Sequence, residues 1–150
     1  MSLDRLSFLI GTWRGEGRGD YPTIDAFTYA EEVEFGTVPT KPFVTYRQRT
    51  TGTDGLPLHS EVGYVRSPAA GLAEMVIAQP TGVTEIQTGA IEGTSLMLTS
   101  MGVGLTPTAK DIRTVHRRID VIDDVLRYRL DLAAVGKDLQ FHLEAELTRV

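Results

Sequence analysis

His142 is the residue whose chemistry and position first suggest a functional site. It lies in the segment 139–150, where apolar residues from Phe141 to Leu147 alternate with polar ones, a pattern typical of a half-buried strand. Neutral imidazole is the commonest metal ligand among protein side chains. A lone histidine near the start of a strand is more often a solvated or capping residue, so a metal site needs support from elsewhere in the sequence.

The composition restricts the classes of protein and site that the chain can form. Its 150 residues, 41% of them hydrophobic, are expected to fold as one domain over residues 1–150 with a single core. A net charge of −5 argues against nucleic acid or an anionic membrane as partner, since both require a basic face. The absence of cysteine excludes disulfides, zinc–thiolate sites and iron–sulfur clusters.

The N-terminal residues carry no recognisable targeting signal. Met1 to Leu6 lack a basic region followed by an apolar run, and no apolar stretch approaches the roughly 20 residues that span a bilayer. We therefore expect a cytoplasmic protein that does not associate with membranes.

The pattern of apolar residues predicts a β-barrel preceded by a short helix. Leucines at helical spacing from Leu3 predict an amphipathic helix ending near Ile10, and Trp13, flanked by glycines, is expected to plug one end of the barrel. About ten short strand-like segments, alternating or β-branched and separated by turn residues, make up the chain from Gly11 onwards. The segment 102–110, rich in Gly, Thr and Pro, is expected to be the longest loop. The spacing predicts an all-β fold, a closed antiparallel barrel of about ten strands.

Further charged residues in the predicted strands could belong to a site. Glu31 and Glu32 are adjacent and should point to opposite faces, which argues against a shared metal ion. His116, beside Arg117 and Arg118, is expected on the surface. If the barrel carried an apolar acid, arginine and tyrosine side chains should converge inside it to bind the carboxylate. The candidates are Tyr46, Arg47, Arg49, Arg127 and Tyr128.

Short motifs occur in order along essentially the whole chain. They include Gly11-x-Trp13-x-Gly15-x-Gly17, Tyr21-Pro22-Thr23-Ile24, Tyr29-x-Glu31-Glu32, Pro57-Leu58-His59-Ser60-Glu61, Ala78-Gln79-Pro80-Thr81-Gly82, Pro107-x-Ala109-Lys110 and Leu139-Gln140-x-His142-Leu143. In this combination the chain resembles the nitrobindins, which are haem-binding β-barrels also called peroxynitrite isomerases. The glycine–tryptophan motif alone would also suit a fatty-acid-binding barrel, whereas its combination with the terminal Gln-x-His-Leu is specific.

The resemblance implies a fold, a cofactor and an activity. Nitrobindins are compact barrels of about ten antiparallel strands, related in shape to lipocalins and fatty-acid-binding proteins, and they hold ferric haem b in a pocket of the barrel. By this resemblance the chain would isomerise peroxynitrite to nitrate and would also bind nitric oxide. We expect it to be a monomer or a weak homodimer.

The resemblance also assigns residues to the pocket. His142 stands at the position of the proximal iron ligand, which makes it the expected metal-binding and catalytic residue. Thr23 matches a threonine that lies at the haem, and His59 matches a histidine on the pocket rim. Lys110 matches a lysine that could meet a haem propionate. Thr23 and His59 are therefore expected to line the same cavity as His142.

The expected pocket wall departs from the family at two positions. Leu58 and Leu132 occupy places where some relatives have methionine. Leucine keeps the wall apolar but removes a polarizable sulfur near the porphyrin. The resemblance thus implies haem binding with altered tuning, and both leucines are expected to contact the cofactor.

Strand alternation raises a difficulty for His142. It places His142 on the face opposite Phe141 and Leu143, so that His142 would look outward if those residues fill the core. Either a β-bulge at the strand entry, 136–138, re-aims the side chain, or the haem is partly open to solvent and a rim residue reaches the iron. The sequence leaves both arrangements open.

Two other functions are compatible with the pattern. One is a lipocalin-like carrier of a small apolar ligand, without chemistry. The other is a haem-based nitric oxide sensor or carrier, without catalysis. A haem absorption band on the protein would exclude the plain lipid carrier.

Overall fold

The structure consists of a short helix followed by ten β-strands. The computed structural model describes residues 3–150, so Met1 and Ser2, where the expected domain begins, lie outside the described part. The helix is a 3₁₀ helix, Asp4–Leu9. The strands are β1 (Gly11–Tyr21), β2 (Ile24–Thr37), β3 (Phe43–Thr51), β4 (Pro57–Arg66), β5 (Leu72–Gln79), β6 (Val83–Glu92), β7 (Ser95–Leu105), β8 (Ile112–Ile122), β9 (Val125–Ala134) and β10 (Gln140–Arg149).

The strands form a closed antiparallel barrel, which confirms the predicted fold. Each strand pairs with the next along the chain, and β1 pairs with β10 to complete the circle. Because consecutive strands alternate in direction, the hairpin turns β1–β2, β3–β4, β5–β6, β7–β8 and β9–β10 all lie at one end of the barrel. We call this end the mouth. The helix and the remaining turns lie at the opposite end.

The helix and Trp13 close the end opposite the mouth. Leu6 and Leu9 are three residues apart, so they share one face of a 3₁₀ helix, and both are fully buried. Trp13 is also fully buried and donates its Nε1–H to the carbonyl of Leu9 at 2.9 Å. The guanidinium of Arg149 lies 4.2 Å from the centre of the Trp13 ring and covers it from outside. In residues 3–150, no helix has the length and apolar character needed to cross a bilayer.

The segment 102–110 is only partly a loop. Strand β7 continues to Leu105, and its last residues pair with β6 from Val83 to Ile86. Glycine allows this pairing, because a Cβ at Gly104 would lie 2.4 Å from Thr84 Oγ1. The expected loop is therefore wrong for residues 102–105, where glycine serves close strand packing rather than a turn.

Candidate functional site

A cavity of about 630 Å³ lies inside the barrel and reaches the mouth. Near the mouth its wall contains apolar side chains, including Leu58, Leu132 and Leu143. Deeper in the barrel the lining includes charged and hydroxyl-bearing side chains from β2, β4, β6, β8 and β9. Below the apolar side chains near the mouth, the cavity therefore has a layer of polar side chains, which we call the polar floor. The lining residues beyond this layer, such as Phe35, Met75 and Leu126, are apolar.

The structure brings together most of the residues that the sequence assigned to the pocket. The lining includes His142, His59, Lys110, Leu58 and Leu132. Thr23 is an exception: it is exposed in the β1–β2 turn and does not belong to the lining, although its neighbour Ile24 does. The structure thus places Thr23 at the mouth but outside the lining of the cavity.

A β-bulge decides the direction of His142. In the pairing of β10 with β9, Phe141 faces Asp131 and Leu143 faces the very next residue, Leu130, so His142 is the extra residue between them. A bulge reverses the alternation on one side of it. His142 consequently faces the cavity together with Leu143. The bulge lies at His142 itself and not at the strand entry 136–138.

Phe141 is held on the outer face of the barrel next to this bulge. The guanidinium of Arg18 lies 4.5 Å from the centre of its ring, and that of Arg129 lies 5.2 Å away. Each arginine is also ion-paired, Arg18 with Glu144 at 2.6 Å and Arg129 with Asp131 at 2.8 Å. These contacts stabilise the register in which Phe141 points out and the following residue points in.

The ring of His142 is fixed by two neighbours on β1. Its Nδ1 lies 3.2 Å from the backbone carbonyl of Asp20, and because a carbonyl can only accept, Nδ1 carries the hydrogen. Tyr21 packs against the ring edge-on, with ring centres 5.3 Å apart. Burial lowers the pKa of His142; the hydrogen bond to Asp20 opposes this effect, and the neighbouring His59 and Lys110 add to it. A neutral ring with Nδ1 bonded leaves Nε2 as the nitrogen available to a metal.

Tyr21 also ties β1 to β9 at the mouth. Its hydroxyl donates to the carbonyl of Leu132 at 2.9 Å and accepts from the N–H of Ala134 at 3.0 Å. We expect Tyr21→Phe to lower the free energy of unfolding by about 1–3 kcal/mol, because the buried Ala134 N–H loses its partner. The measurement is urea denaturation. Tyr64→Phe is the matched control, since the Tyr64 side chain is half exposed, and an equal loss in both variants would contradict this account.

The polar floor contains Arg117, an arginine that was not among the candidates expected to point into the barrel. Arg117 lines the cavity, and its side chain is only 10% exposed. Of the arginines proposed to point inward, Arg47, Arg49 and Arg127 are absent from the lining, whereas both tyrosines, Tyr46 and Tyr128, belong to it. Arg117 could have been found in the sequence, since it shares the period-two parity of Val115 and Ile119, which are buried.

Arg117 is ion-paired with two buried glutamates. Its Nη1 and Nη2 donate to Glu61 at 2.7 and 3.2 Å, and its Nε and Nη2 donate to Glu85 at 3.0 and 2.7 Å. Glu61 also accepts from the Tyr46 hydroxyl at 2.7 Å and lies 3.1 Å from His59 Nε2. This network connects the floor of the cavity to His59 at the mouth.

Glu31 is a third buried carboxyl in the lining. It accepts hydrogen bonds from Tyr128 at 2.7 Å and from Gln48 at 2.8 Å. Burial raises its pKa to about 7, with Glu61 adding to the shift, while the bonds from Tyr128 and Gln48 oppose it. Glu32 points outward, where it pairs with Arg14 and Arg49, as strand alternation predicts.

The raised pKa of Glu31 predicts a pH dependence of stability. Between pH 4.5, its ordinary pKa, and about 7, the folded protein binds more protons at this group than the unfolded chain does. Its contribution to stability is therefore complete below that range and is lost as the pH rises through it. Glu31→Gln should flatten this part of the profile, measured by urea denaturation at several pH values. Glu34 is exposed, so Glu34→Gln should leave the profile unchanged. Identical profiles for wild type and Glu31→Gln would disprove the raised pKa of Glu31.

The chain is similar to known proteins over almost its full length. It is 45% identical over 152 residues to peroxynitrite isomerase 2 of Mycobacterium ulcerans, a match that covers 98% of this chain and 94% of that protein. It is 45% identical over 149 residues to peroxynitrite isomerase of Nocardia farcinica, covering 96% of this chain and 88% of that protein.

A solved structure and a family model agree with these relatives. The crystal structure of Rv2717c from M. tuberculosis superimposes with a TM-score of 0.94 at 46% sequence identity, covering 99% of this chain and 96% of that one. The family model of the THAP4-like, heme-binding beta-barrel domain matches residues 2–149. The chain therefore belongs to the family of THAP4-like heme-binding β-barrel domains.

Proposed function

We propose that this protein binds ferric haem b through His142 and isomerises peroxynitrite to nitrate. Haem is the ligand of the family to which the chain belongs. Relatives named peroxynitrite isomerase match nearly all of the chain at 45% identity. The observation that carries the proposal is the state of His142, which lines the cavity while its Nδ1–H is bonded to the Asp20 carbonyl.

The side chains of the cavity suit haem in three respects. A neutral histidine with a fixed ring offers Nε2 to iron. The apolar side chains of Leu58 and Leu132 suit the faces of a porphyrin. Lys110 lines the part of the cavity near the mouth, beside His59, and its ammonium group would favour the porphyrin carboxylates there. We assign Thr23 to the rim beside this group.

The reaction needs little from the side chains beyond binding and orientation. When bound, ferric haem supplies a Lewis-acidic iron that polarises an oxygen of peroxynitrite and favours O–O rearrangement to nitrate. Peroxynitrite and nitrate have the same atoms and the same charge, so no side chain must supply or remove a proton. The Asp20 carbonyl orients His142, and the apolar wall excludes water from the reacting centre.

Further parts of the proposal concern the wider behaviour of the protein. Nitric oxide is small and uncharged, so it needs no ion pair to enter an apolar cavity, and we propose it as a second ligand. We also propose that residues 1–150 act as one domain in the cytoplasm, as a monomer or a weak homodimer.

The cavity does not favour a carrier of fatty acids. Such a carrier needs an arginine that is free to bind the ligand carboxylate. Arg117 lines the cavity, but Glu61 and Glu85 already accept four hydrogen bonds from its five N–H donors.

The proposed reaction is tested by the decay of peroxynitrite. Haem-loaded protein, haem-free protein and free haemin at the same concentration are mixed with peroxynitrite, and its absorbance and the nitrate yield are followed. We expect the haem-loaded protein to accelerate the decay to nitrate beyond both controls. Equal rates for loaded protein and free haemin would contradict the proposed activity.

A further inference from the structure

The floor of the cavity carries more negative than positive groups. The lining there contains the carboxyl groups of Glu31, Glu61 and Glu85 and the single guanidinium of Arg117. Even with Glu31 protonated, two carboxylates face one guanidinium. Burial tends to raise the pKa of Glu61, but the charge and hydrogen bonds of Arg117, together with the hydrogen bond from His59, hold that pKa below its ordinary value.

The guanidinium has almost no capacity left for another acceptor. Arginine has five N–H donors in a planar fork. Glu61 takes one edge through Nη1 and Nη2, and Glu85 takes another through Nε and Nη2. Both carboxylates are in turn held by neutral donors, Glu61 by Tyr46 and Glu85 by Gln87 at 2.8 Å. The network is therefore complete without a ligand.

The polar atom on the floor that lacks a hydrogen-bond partner in the described part of the chain is an acceptor, the side-chain oxygen of Gln48. Gln48 lines the cavity and is 4% exposed, and its Nε2 donates to Glu31. Its Oε1 is buried and has no hydrogen-bond partner among the described residues. An acceptor of this kind favours an uncharged donor and repels an anion.

We propose that Glu61 and Glu85 are specificity-determining residues that make the floor of the cavity reject anionic groups. They occupy Arg117 in place of a ligand carboxylate, so uncharged groups enter the floor and anionic groups stay at the mouth beside Lys110 and His59. In the proposed haem complex, the porphyrin carboxylates and the anionic substrate are thereby confined to the mouth. Only this last consequence rests on the proposed function; the charge selectivity does not.

The test measures two probes on the full chain without added haem. A fluorescent medium-chain fatty acid and its methyl ester differ only in the charge of the head group. In wild type we expect the acid to bind no more than about tenfold tighter than the ester, with its carboxylate at the mouth. Lys110→Met should then weaken binding of the acid and leave binding of the ester unchanged.

The decisive variant is Glu85→Gln, which keeps the side-chain shape and removes one negative charge beside Arg117. We expect the ratio of acid to ester affinity to rise about tenfold or more. Glu61→Gln is a second variant with the same expectation. Glu34→Gln, which removes an exposed charge from β2, is the control and should leave the ratio unchanged.

Three results would overturn the proposal. The first is an unchanged ratio in Glu85→Gln and Glu61→Gln proteins with wild-type circular dichroism. The second is a wild-type preference for the acid above about tenfold that Lys110→Met does not alter, since Arg117 would then receive the carboxylate. The third is failure of both probes to bind. Because no haem or peroxynitrite is present, these outcomes are independent of the peroxynitrite assay.

Discussion

Replacing His142 with alanine should weaken haemin binding at least tenfold, which corresponds to about 1.4 kcal/mol. The variant loses the proposed iron–nitrogen bond, and the porphyrin is left with apolar contacts to the wall. Nitrate formation from peroxynitrite should fall with it. The free energy of unfolding should change little, because no large core side chain is removed.

The matched control for this variant is His116→Ala. His116 follows the buried Val115 in β8 and precedes Arg117, so it lies on the opposite, outer face of the strand. The His116→Ala variant should bind haemin with the affinity of wild type. Equal losses of affinity in both variants would show that removal of any histidine weakens binding, contrary to a specific role of His142.

Arg117→Met should lower the free energy of unfolding by about 3–5 kcal/mol. Methionine keeps the unbranched apolar stem of the arginine side chain but removes its charge. Glu61 and Glu85, which are 6% and 1% exposed, are then left without their counter-charge. The measurement is urea denaturation at neutral pH. The loss should shrink at acid pH, where the uncompensated carboxylates can take up protons.

The neighbouring Arg118→Met provides the control for charge removal in the same strand. Arg118 pairs with Asp120 at 3.0 Å on the surface, and its side chain is 57% exposed. Surface ion pairs contribute about 0–1 kcal/mol, so this variant should be nearly as stable as wild type. If Arg117→Met cost no more than Arg118→Met, the buried network would not stabilise the barrel as described.

The barrel could be predicted because nearly every strand has a clear period of two. In β2, for example, Tyr29, Val33 and Phe35 are buried at alternate positions, as the pattern requires. Turn residues then separate ten such segments. The exception at 102–105 arose because glycine signals a turn and a close strand contact equally well.

The direction of His142 could not be predicted from alternation. A single extra residue in β10 reverses the faces of the strand, and nothing in the local sequence marks it. The contacts that stabilise the bulge come from distant positions: the Asp20 carbonyl on β1 and the arginines around Phe141. Only the resemblance of the terminal motif pointed to an inward histidine.

The presence of a buried polar network could have been predicted from the sequence. Arg117, Glu31 and Glu85 all occupy the parity of buried apolar neighbours in their strands. Charged residues at such positions are rarely fully buried unless they are paired, so they predict an internal network. What the sequence could not supply was which of the charges meet, because β4, β6 and β8 do not pair with one another: β5 and β7 lie between them, and their side chains meet inside the barrel.

The most direct test of the account is the absorption spectrum of the haemin complex in His142→Ala compared with His59→Ala. Both histidines line the cavity, but the His142 ring is oriented by the Asp20 carbonyl through Nδ1, whereas His59 Nε2 lies 3.1 Å from Glu61. We predict that His59→Ala retains the Soret band of wild type and that His142→Ala loses or shifts it. A wild-type spectrum in His142→Ala, together with its loss in His59→Ala, would contradict the assignment of His142 as the iron ligand.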